Sequence, residues 1–279
     1  MTTSSVAKMT WLPRILTDKR LIWPRAYYSR AVAVFASAQC FLFVNCVSPQ
    51  VVTSRTWGPK FATAGASVEL KRVGPIGEPA SAYSVNYTIE AFGFARSSPV
   101  DLWIWIIGKE PQVLALDFNL REGELVCDKR PLSALGQKVT CRGPSQAAEI
   151  TISAIQGEPV SVALVSHDKK TRVFAKVVPL PFEVVQGTCR MSVEREDQGG
   201  TLFVATALGL RANESLNVAM ASENEQAKLS GKTDPAGIWR TMFSPVVKGR
   251  NSGAGSIDLK SESCQLRLGY RWGTATAPN

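Results

Sequence analysis

The sequence predicts an all-β chain: two β-sandwiches in series behind an N-terminal export or anchor segment. Three observations carry this. Past residue 60, apolar and polar residues alternate with period two through most of the chain, and no helical period competes with them. Gly, Pro, Asn and Asp turns separate these runs at short intervals, as in a sandwich rather than in strand–helix repeats. A charge-free apolar stretch, 31–52, follows a basic one at the N-terminus.

Taken in order, residues 1–30 carry six basic side chains against Asp18 alone. The 17 residues Ala31–Val47 are apolar apart from Ser37, Gln39 and Asn45, with Cys40 and Cys46 among them. A basic flank held on the cytoplasmic side, followed by an apolar run, is the pattern of an export signal. A bilayer-spanning helix needs roughly 20 apolar residues, so a cleaved signal fits this length better than a permanent anchor. Met9 is an alternative start, because the basic stretch is long for a signal. Ala36-Ser37-Ala38 has the small-x-small form of a cleavage site, but too little apolar length precedes it. Phe43-Val44-Asn45-Cys46 is similar to a bacterial lipobox, which implies a lipid on Cys46 as an alternative anchor. Residues 1–52 are therefore set apart as the leader.

That leader holds more than half of the net charge of +9; from residue 53 onward 26 basic side chains are mixed with 22 acidic ones. The balance speaks for export rather than for nucleic acid, and no recognition motif gathers the basic residues.

After a short exposed lead-in from Ser54 to Pro59, the first sandwich is expected over 60–178. Val68 and Leu70 alternate with Glu69 and Lys71, and Gly74–Pro79 breaks that strand. Tyr83, Val85, Tyr87, Ile89 and Ala91 form the clearest alternation. Leu102–Ile107 is continuously apolar, as in a central strand buried on both faces. A turn at Gly108–Pro111 leads to Val113–Phe118; then come Ile150–Ala154, Val160–Leu164 and, after the turn His167–Lys170, Arg172–Val178. Residues 179–188, with Pro179, Pro181 and Gly187, read as a linker. The second sandwich, 189–274, has about seven short strands, from Cys189–Glu194 to Cys264–Trp272.

Four cysteines follow the leader, an even set in a chain that reads as exported, so disulfides are expected. Of the three possible pairings the strand pattern favours one. Cys264, Leu266, Leu268, Tyr270 and Trp272 share the apolar face of one strand, and Cys189, Met191 and Val193 that of another. Both cysteines begin a strand and point inward, which pairs Cys189 with Cys264 and leaves Cys127 with Cys141. The long loop is worth about 4 kcal/mol and the short one about 3 kcal/mol by chain entropy.

Within the second half, Gly209-Leu-Arg-Ala-Asn-Glu-Ser-Leu-Asn-Val218, Asp234-Pro-Ala-Gly-Ile-Trp239 and the Cys264 strand resemble bacterial immunoglobulin-like surface domains of the IPT/TIG type, with Ala212 where proline is common. The resemblance covers about 85 residues. It implies an immunoglobulin-like fold and a secreted scaffolding, adhesion or ligand-contact role, with no active site.

Candidates for chemistry are few. The only histidine, His167, sits in a polar turn beside Asp168 with no nucleophile motif nearby. With no Cys-x-x-Cys and no second histidine, no metal site or cofactor is expected. Gly231-Lys-Thr233 lacks the first glycine of a phosphate loop. Glu90, Asp101, Asp117 and Glu124 lie near aromatic strands and are the candidates for paired-carboxylate hydrolysis. Trp103 and Trp105 share one face of their strand and are the candidate ligand-binding residues, for stacking on sugar rings, against the alternative of core packing.

The expected function is a non-catalytic, exported module of the cell envelope or exterior. It would bind a protein or glycan and touch a membrane only through an uncleaved N-terminal segment. A secreted polysaccharide hydrolase and a periplasmic pilus-type chaperone are the alternatives.

Overall fold

The computed structural model of the chain describes residues 57–73, 84–95, 99–126, 133–141 and 146–274. The leader, with its signal, Cys40 and Cys46, lies outside the described residues, as does Cys127. Among the described residues no helix is long and apolar enough to cross a membrane.

Among the described residues, the first part of the chain supplies ten strands: β1 (Ser67–Val73), β2 (Ser84–Phe92), β3 (Val100–Ile106), β4 (Gln112–Arg121), β5 (Glu124–Val126), β6 (Ser133–Ala134), β7 (Gln137–Thr140), β8 (Glu149–Ser153), β9 (Val160–Ser166) and β10 (Arg172–Val177). They run in the order β10-β9-β3-β4-β5-β2-β8-β7-β6, with β1 on the other side of β2. Two layers result, β1-β2-β8 facing β4-β3-β9-β10. They join because β4 pairs with β3 through its first part and with β5 through its end. The bend sits at register shifts near Leu102 and at Asp117, whose φ is 54°. Val85, Ile89, Leu102, Ile104, Ile150 and Leu164 fill the space between the layers.

The second part supplies eight strands: β11 (Phe182–Gln186), β12 (Cys189–Arg195), β13 (Phe203–Leu208), β14 (Ser215–Ser222), β15 (Glu225–Lys232), β16 (Trp239–Phe243), β17 (Ser252–Ser261) and β18 (Gln265–Gly273). They form two four-stranded sheets, β11-β12-β13-β16 and β15-β14-β17-β18, antiparallel throughout. The chain crosses from one sheet to the other between β13 and β14, between β15 and β16 and between β16 and β17, which is the Greek-key connectivity of an immunoglobulin-like sandwich. Equivalent strands of the first part, β1-β2-β8 against β4-β3-β9-β10, follow the same route. The chain is all-β, with two immunoglobulin-like sandwiches in series.

The expected alternations hold where one face meets the core. Val85, Tyr87, Ile89 and Ala91 are buried on β2, and Leu266, Leu268, Tyr270 and Trp272 on β18. Cys189 and Cys264 are bonded, with a Cα–Cα distance of 6.4 Å across the sandwich. Cys141 is also disulfide-bonded, and its expected partner Cys127 falls outside the described residues.

Three expectations are corrected. Residues 179–188 are not an open linker, since Phe182–Gln186 is the edge strand β11, paired with β12. Phe182 belongs to the second core, its ring 6.4 Å from Tyr270. The two prolines mark the approach to a strand whose apolar residues have a core to meet. Strand β3 is buried on one face only: Val100, Leu102 and Ile104 are inside, while Asp101, Trp103 and Trp105 are half-buried on the outer face. Trp57, expected in an exposed lead-in, is half-buried as well.

Arg195 fixes the junction of the sandwiches. It is 2% exposed; its backbone N–H donates to Gly157 O at 2.8 Å and its Nε to Gln156 O at 3.0 Å. The guanidinium also reaches the Gly273 and Arg271 carbonyls at 3.5 Å. Burial lowers its affinity for the proton, and Glu158 and Asp197 oppose that shift. Gly157, at φ 79°, allows the approach: a Cβ there would lie 2.6 Å from the Phe182 ring. Lys176 on β10 pairs with Glu194 on β12 at 2.5 Å, and Gln198 Nε2 donates to Ile107 O at 2.8 Å.

Candidate functional site

Period two turns Trp103 and Trp105 onto the same outer face of β3. Register sets Trp103 beside Ala163 and Trp105 beside Ser161 on β9, with Phe174 of β10 beside Ala163. The small β9 side chains leave room for rings from both neighbouring strands. The chain ahead of β1 then folds over this face. The Thr63 N–H donates to Arg172 O at 2.8 Å, the Arg172 N–H to Thr63 Oγ1 at 2.9 Å, and a short 3₁₀ turn follows Trp57.

Trp57 therefore lies on both tryptophans. Its ring centroid is 4.9 Å from Trp103, 5.8 Å from Trp105 and 5.7 Å from Phe174, and Trp105 is 6.1 Å from Phe174. Most of these contacts are edge-to-face, the favoured geometry for aromatic pairs. Trp103 Nε1 is buried without a hydrogen-bond partner. The two sequence-predicted residues do come together, but as part of a cluster of four rings rather than as a bare flat platform. Stacking on a ligand would require Trp57 to leave Trp103. Sequence reasoning missed Trp57 and Phe174; a lone large aromatic just before Pro59 was the available signal.

The candidate carboxylates are spread over separate places. Glu90 is ion-paired with Lys71 at 2.6 Å. It stands cross-strand from Glu69 on one side and Glu124 on the other, on the outer face of the β1-β2 layer. Lys71 holds its proton more tightly there, chiefly through the Glu90 hydrogen bond. Asp101 Oδ1 accepts the Asp117 N–H at 3.1 Å, and Asp117 Oδ1 lies 3.3 Å from His167 Nδ1. His167 has 69% of its side chain exposed. Its sequence neighbour Asp168 instead accepts bonds from Ser166 Oγ at 2.6 Å and the Lys170 N–H at 3.1 Å, which close the β9–β10 turn and lower its pKa. A retaining hydrolase needs one carboxyl kept protonated by an apolar pocket beside a second, ionised one. Of the two pairs that come together, Glu90 and Glu124 lie on an open sheet face beside a lysine, and Asp101 and Asp117 lie beside the exposed His167.

At one end of the second sandwich, buried Glu214 ties three loops together. It accepts from the Ser263 N–H and Ser263 Oγ, each at 2.6 Å, and from the Arg211 N–H at 2.9 Å. Its own N–H donates to Thr233 Oγ1 at 2.8 Å, and that hydroxyl donates to Arg211 O at 2.6 Å. The Ser263 hydroxyl is the main reason its carboxyl is pulled down to about 2. Thr233, at the end of the run that lacks the first glycine of a phosphate loop, is thus a structural hydroxyl. Asp234 Oδ1 caps the next turn through Ala236 and Ile238.

Among the described residues no group of His, Cys, Asp and Glu could hold a metal ion. No protein-family model and no curated protein matches the chain. Solved structures give low-scoring overlaps. One, from work on neurohormone perception by the receptor tyrosine kinase Torso, has 10% identity and a TM-score of 0.23, and covers 76% of each chain. The FN1–FN3 domains of chicken CNTN1 have 7% identity and a TM-score of 0.24, covering 74% of this chain and 65% of that one. The chain's own strand order defines its fold.

Proposed function

We propose that the chain is exported and works in the cell envelope or outside the cell as a non-catalytic binding module, with a protein or glycan as partner. The observation that carries this reading is the Cys189–Cys264 bridge, which links the start of β12 to the start of β18 across one sandwich. Such bridges persist where thiols are oxidised, and cytosolic reductants keep them open. The apolar run 31–47 is its export signal or anchor, with Cys46 as an alternative lipid site. The finer likeness of the second sandwich to IPT/TIG surface domains belongs to the same proposal.

Fractionation of the tagged protein with thiol trapping tests it. A product outside the cytoplasm, with Cys189 and Cys264 protected from alkylation until reduced, is expected. A cytoplasmic product beginning at Met1 or Met9, with both thiols alkylated at once, overturns it.

A further inference from the structure

The outer face of the β15-β14-β17-β18 sheet gathers basic residues that are scattered in sequence. Antiparallel register puts Lys228, Ala219, Asp258 and Arg267 in one row across the four strands. Neighbouring rows contain Gln226, Ala221, Ser256 and Gly269, and Ser230, Asn217, Lys260 and Gln265. With Lys232 on β15 and Arg271 on β18, the outward positions of this sheet hold five cations and one carboxylate. All five cationic residues are exposed.

The distribution has a shape. Four of the cations lie on the two edge strands, Lys228 and Lys232 on β15 and Arg267 and Arg271 on β18. The central strands present mostly small side chains: Ala219, Ala221 and Ser256. At about 4.8 Å per strand the edge rows stand about 14 Å apart, and Arg267 and Arg271 are about 13 Å apart along their strand. The result is a shallow floor with a row of long cationic side chains on either side.

Most of this charge is uncommitted. Arg267 meets Asp258 at 3.5 Å, whereas Lys228, Lys232, Lys260 and Arg271 form no ion pair among the described residues. The acids at the sheet's ends are engaged elsewhere, Glu262 with Arg211 at 3.0 Å and Glu223 with the Ala254 N–H at 2.9 Å. The opposite sheet shows no such bias. Its outward Glu183 and Arg190 form an ion pair, and Glu194 pairs with Lys176.

We propose that this face binds an extended anionic polysaccharide, its chain running along the strands over the small-residue floor with its carboxylates between the two cationic rows. Separated cations that do not converge on a point suit a repeating polyanion better than one small anion. No aromatic residue stands on these outward positions to stack nucleic-acid bases. Nor do they carry an apolar side chain larger than alanine to enter a membrane interface. The choice of a glycan as the polyanion rests on the extracellular reading above; the charge geometry does not.

Binding of the purified, oxidised full chain to fluorescein-labelled polygalacturonate, followed by anisotropy, tests the proposal whatever compartment the protein proves to occupy. Binding is expected that weakens steeply with salt and has no counterpart with neutral dextran. The Lys228→Glu/Lys232→Glu/Lys260→Glu/Arg271→Glu variant should lose at least about tenfold in affinity, while Arg240→Glu on the opposite sheet changes nothing. Acetylation mapping of the unmutated protein gives a reading independent of any variant: polygalacturonate should protect Lys228, Lys232 and Lys260. Absence of binding at low salt, equal binding by the quadruple variant, or no protection of those lysines overturns the proposal. So does tighter binding to oligothymidylate or to phosphatidylglycerol vesicles.

Discussion

The four-stranded layer β4-β3-β9-β10 and its counterpart β15-β14-β17-β18 occupy equivalent places in the two sandwiches and have opposite exteriors. The first places Trp103, Trp105 and Phe174 outward and covers them with Trp57 from the same chain. The second places lysines and arginines around small residues and leaves them open. Inward, both layers obey the same alternation of buried Val, Leu and Ile. The buried face sets register, because a one-residue slip would expose the whole apolar set. The outer face is then free to become a second small core or a charged surface.

The largest expected effect separates the two sandwiches by their staples. Replacing Cys189 and Cys264 with Ala removes a bond between residues 75 apart in sequence and should cost about 4 kcal/mol. The loss should appear in the second sandwich. Hydrogen exchange of β2 and β3 in the first sandwich should change much less than hydrogen exchange of β12 and β18 in the second. Equal loss in both readouts would show that the Arg195 junction makes the two halves one cooperative unit.

Next comes the aromatic cover. Trp57→Ala should cost about 2 kcal/mol, below the range for fully buried tryptophan because the ring is only half-buried. The same substitution opens the faces of Trp103 and Trp105. If the cluster is a satellite core, stability falls and no new ligand binding appears. If the tryptophans serve as a sugar platform that Trp57 shields, Trp57→Ala should bind neutral oligosaccharides that the unmutated protein ignores, read as tryptophan quenching. No change in stability would mean the ring contacts contribute nothing to folding.

How much of this was legible in the sequence depends on which face of a strand is asked about. Where one side meets a core and the other meets water, as on β2 and β18, period two gave the strand, its inward residues and the Cys189–Cys264 pairing. It misled on β3, where the outward tryptophans made the run look doubly buried. Its outer cover comes from a segment whose pairing with β10 is set by Thr63, a contact 109 positions away in sequence. Phe182 was missed for a different reason: two prolines punctuate the stretch around it, and local turn signals say nothing of a core that lies against it. The basic face was invisible because Lys228, Lys260 and Arg267 become neighbours only through the register of four strands. Linear charge mixing hid a segregation that folding creates.

A smaller effect tests the loop hub of the second sandwich. Glu214 ionises at about 2 when folded, against an ordinary 4.5. Because its folded value is depressed, its contribution to stability is complete above about 4.5 and is lost as the pH falls toward about 2. The urea midpoint of the second sandwich should therefore fall between pH 5 and pH 3, roughly the window of this titration. Glu214→Gln should lower the midpoint at pH 7 and flatten that fall. A variant with the same pH dependence as the unmutated protein would assign the acid sensitivity to other carboxylates.

The smallest stability effect belongs to the open basic face, and its sign is informative. Replacing Lys228, Lys232, Lys260 and Arg271 with Gln removes four cations that form no ion pair among the described residues. Surface changes of this kind stay within about 0.5 kcal/mol each, and relief of mutual repulsion should make the net change slightly stabilising at low salt. Added salt should erase the gain, since the Debye length shrinks to about 3 Å at 1 M. A midpoint that falls on neutralisation would mean that the long side chains hold the sheet by packing their stems over Ala219 and Ala221. A midpoint that rises means the face is basic at a cost to its own fold, which places the reason for the charge in what it meets outside.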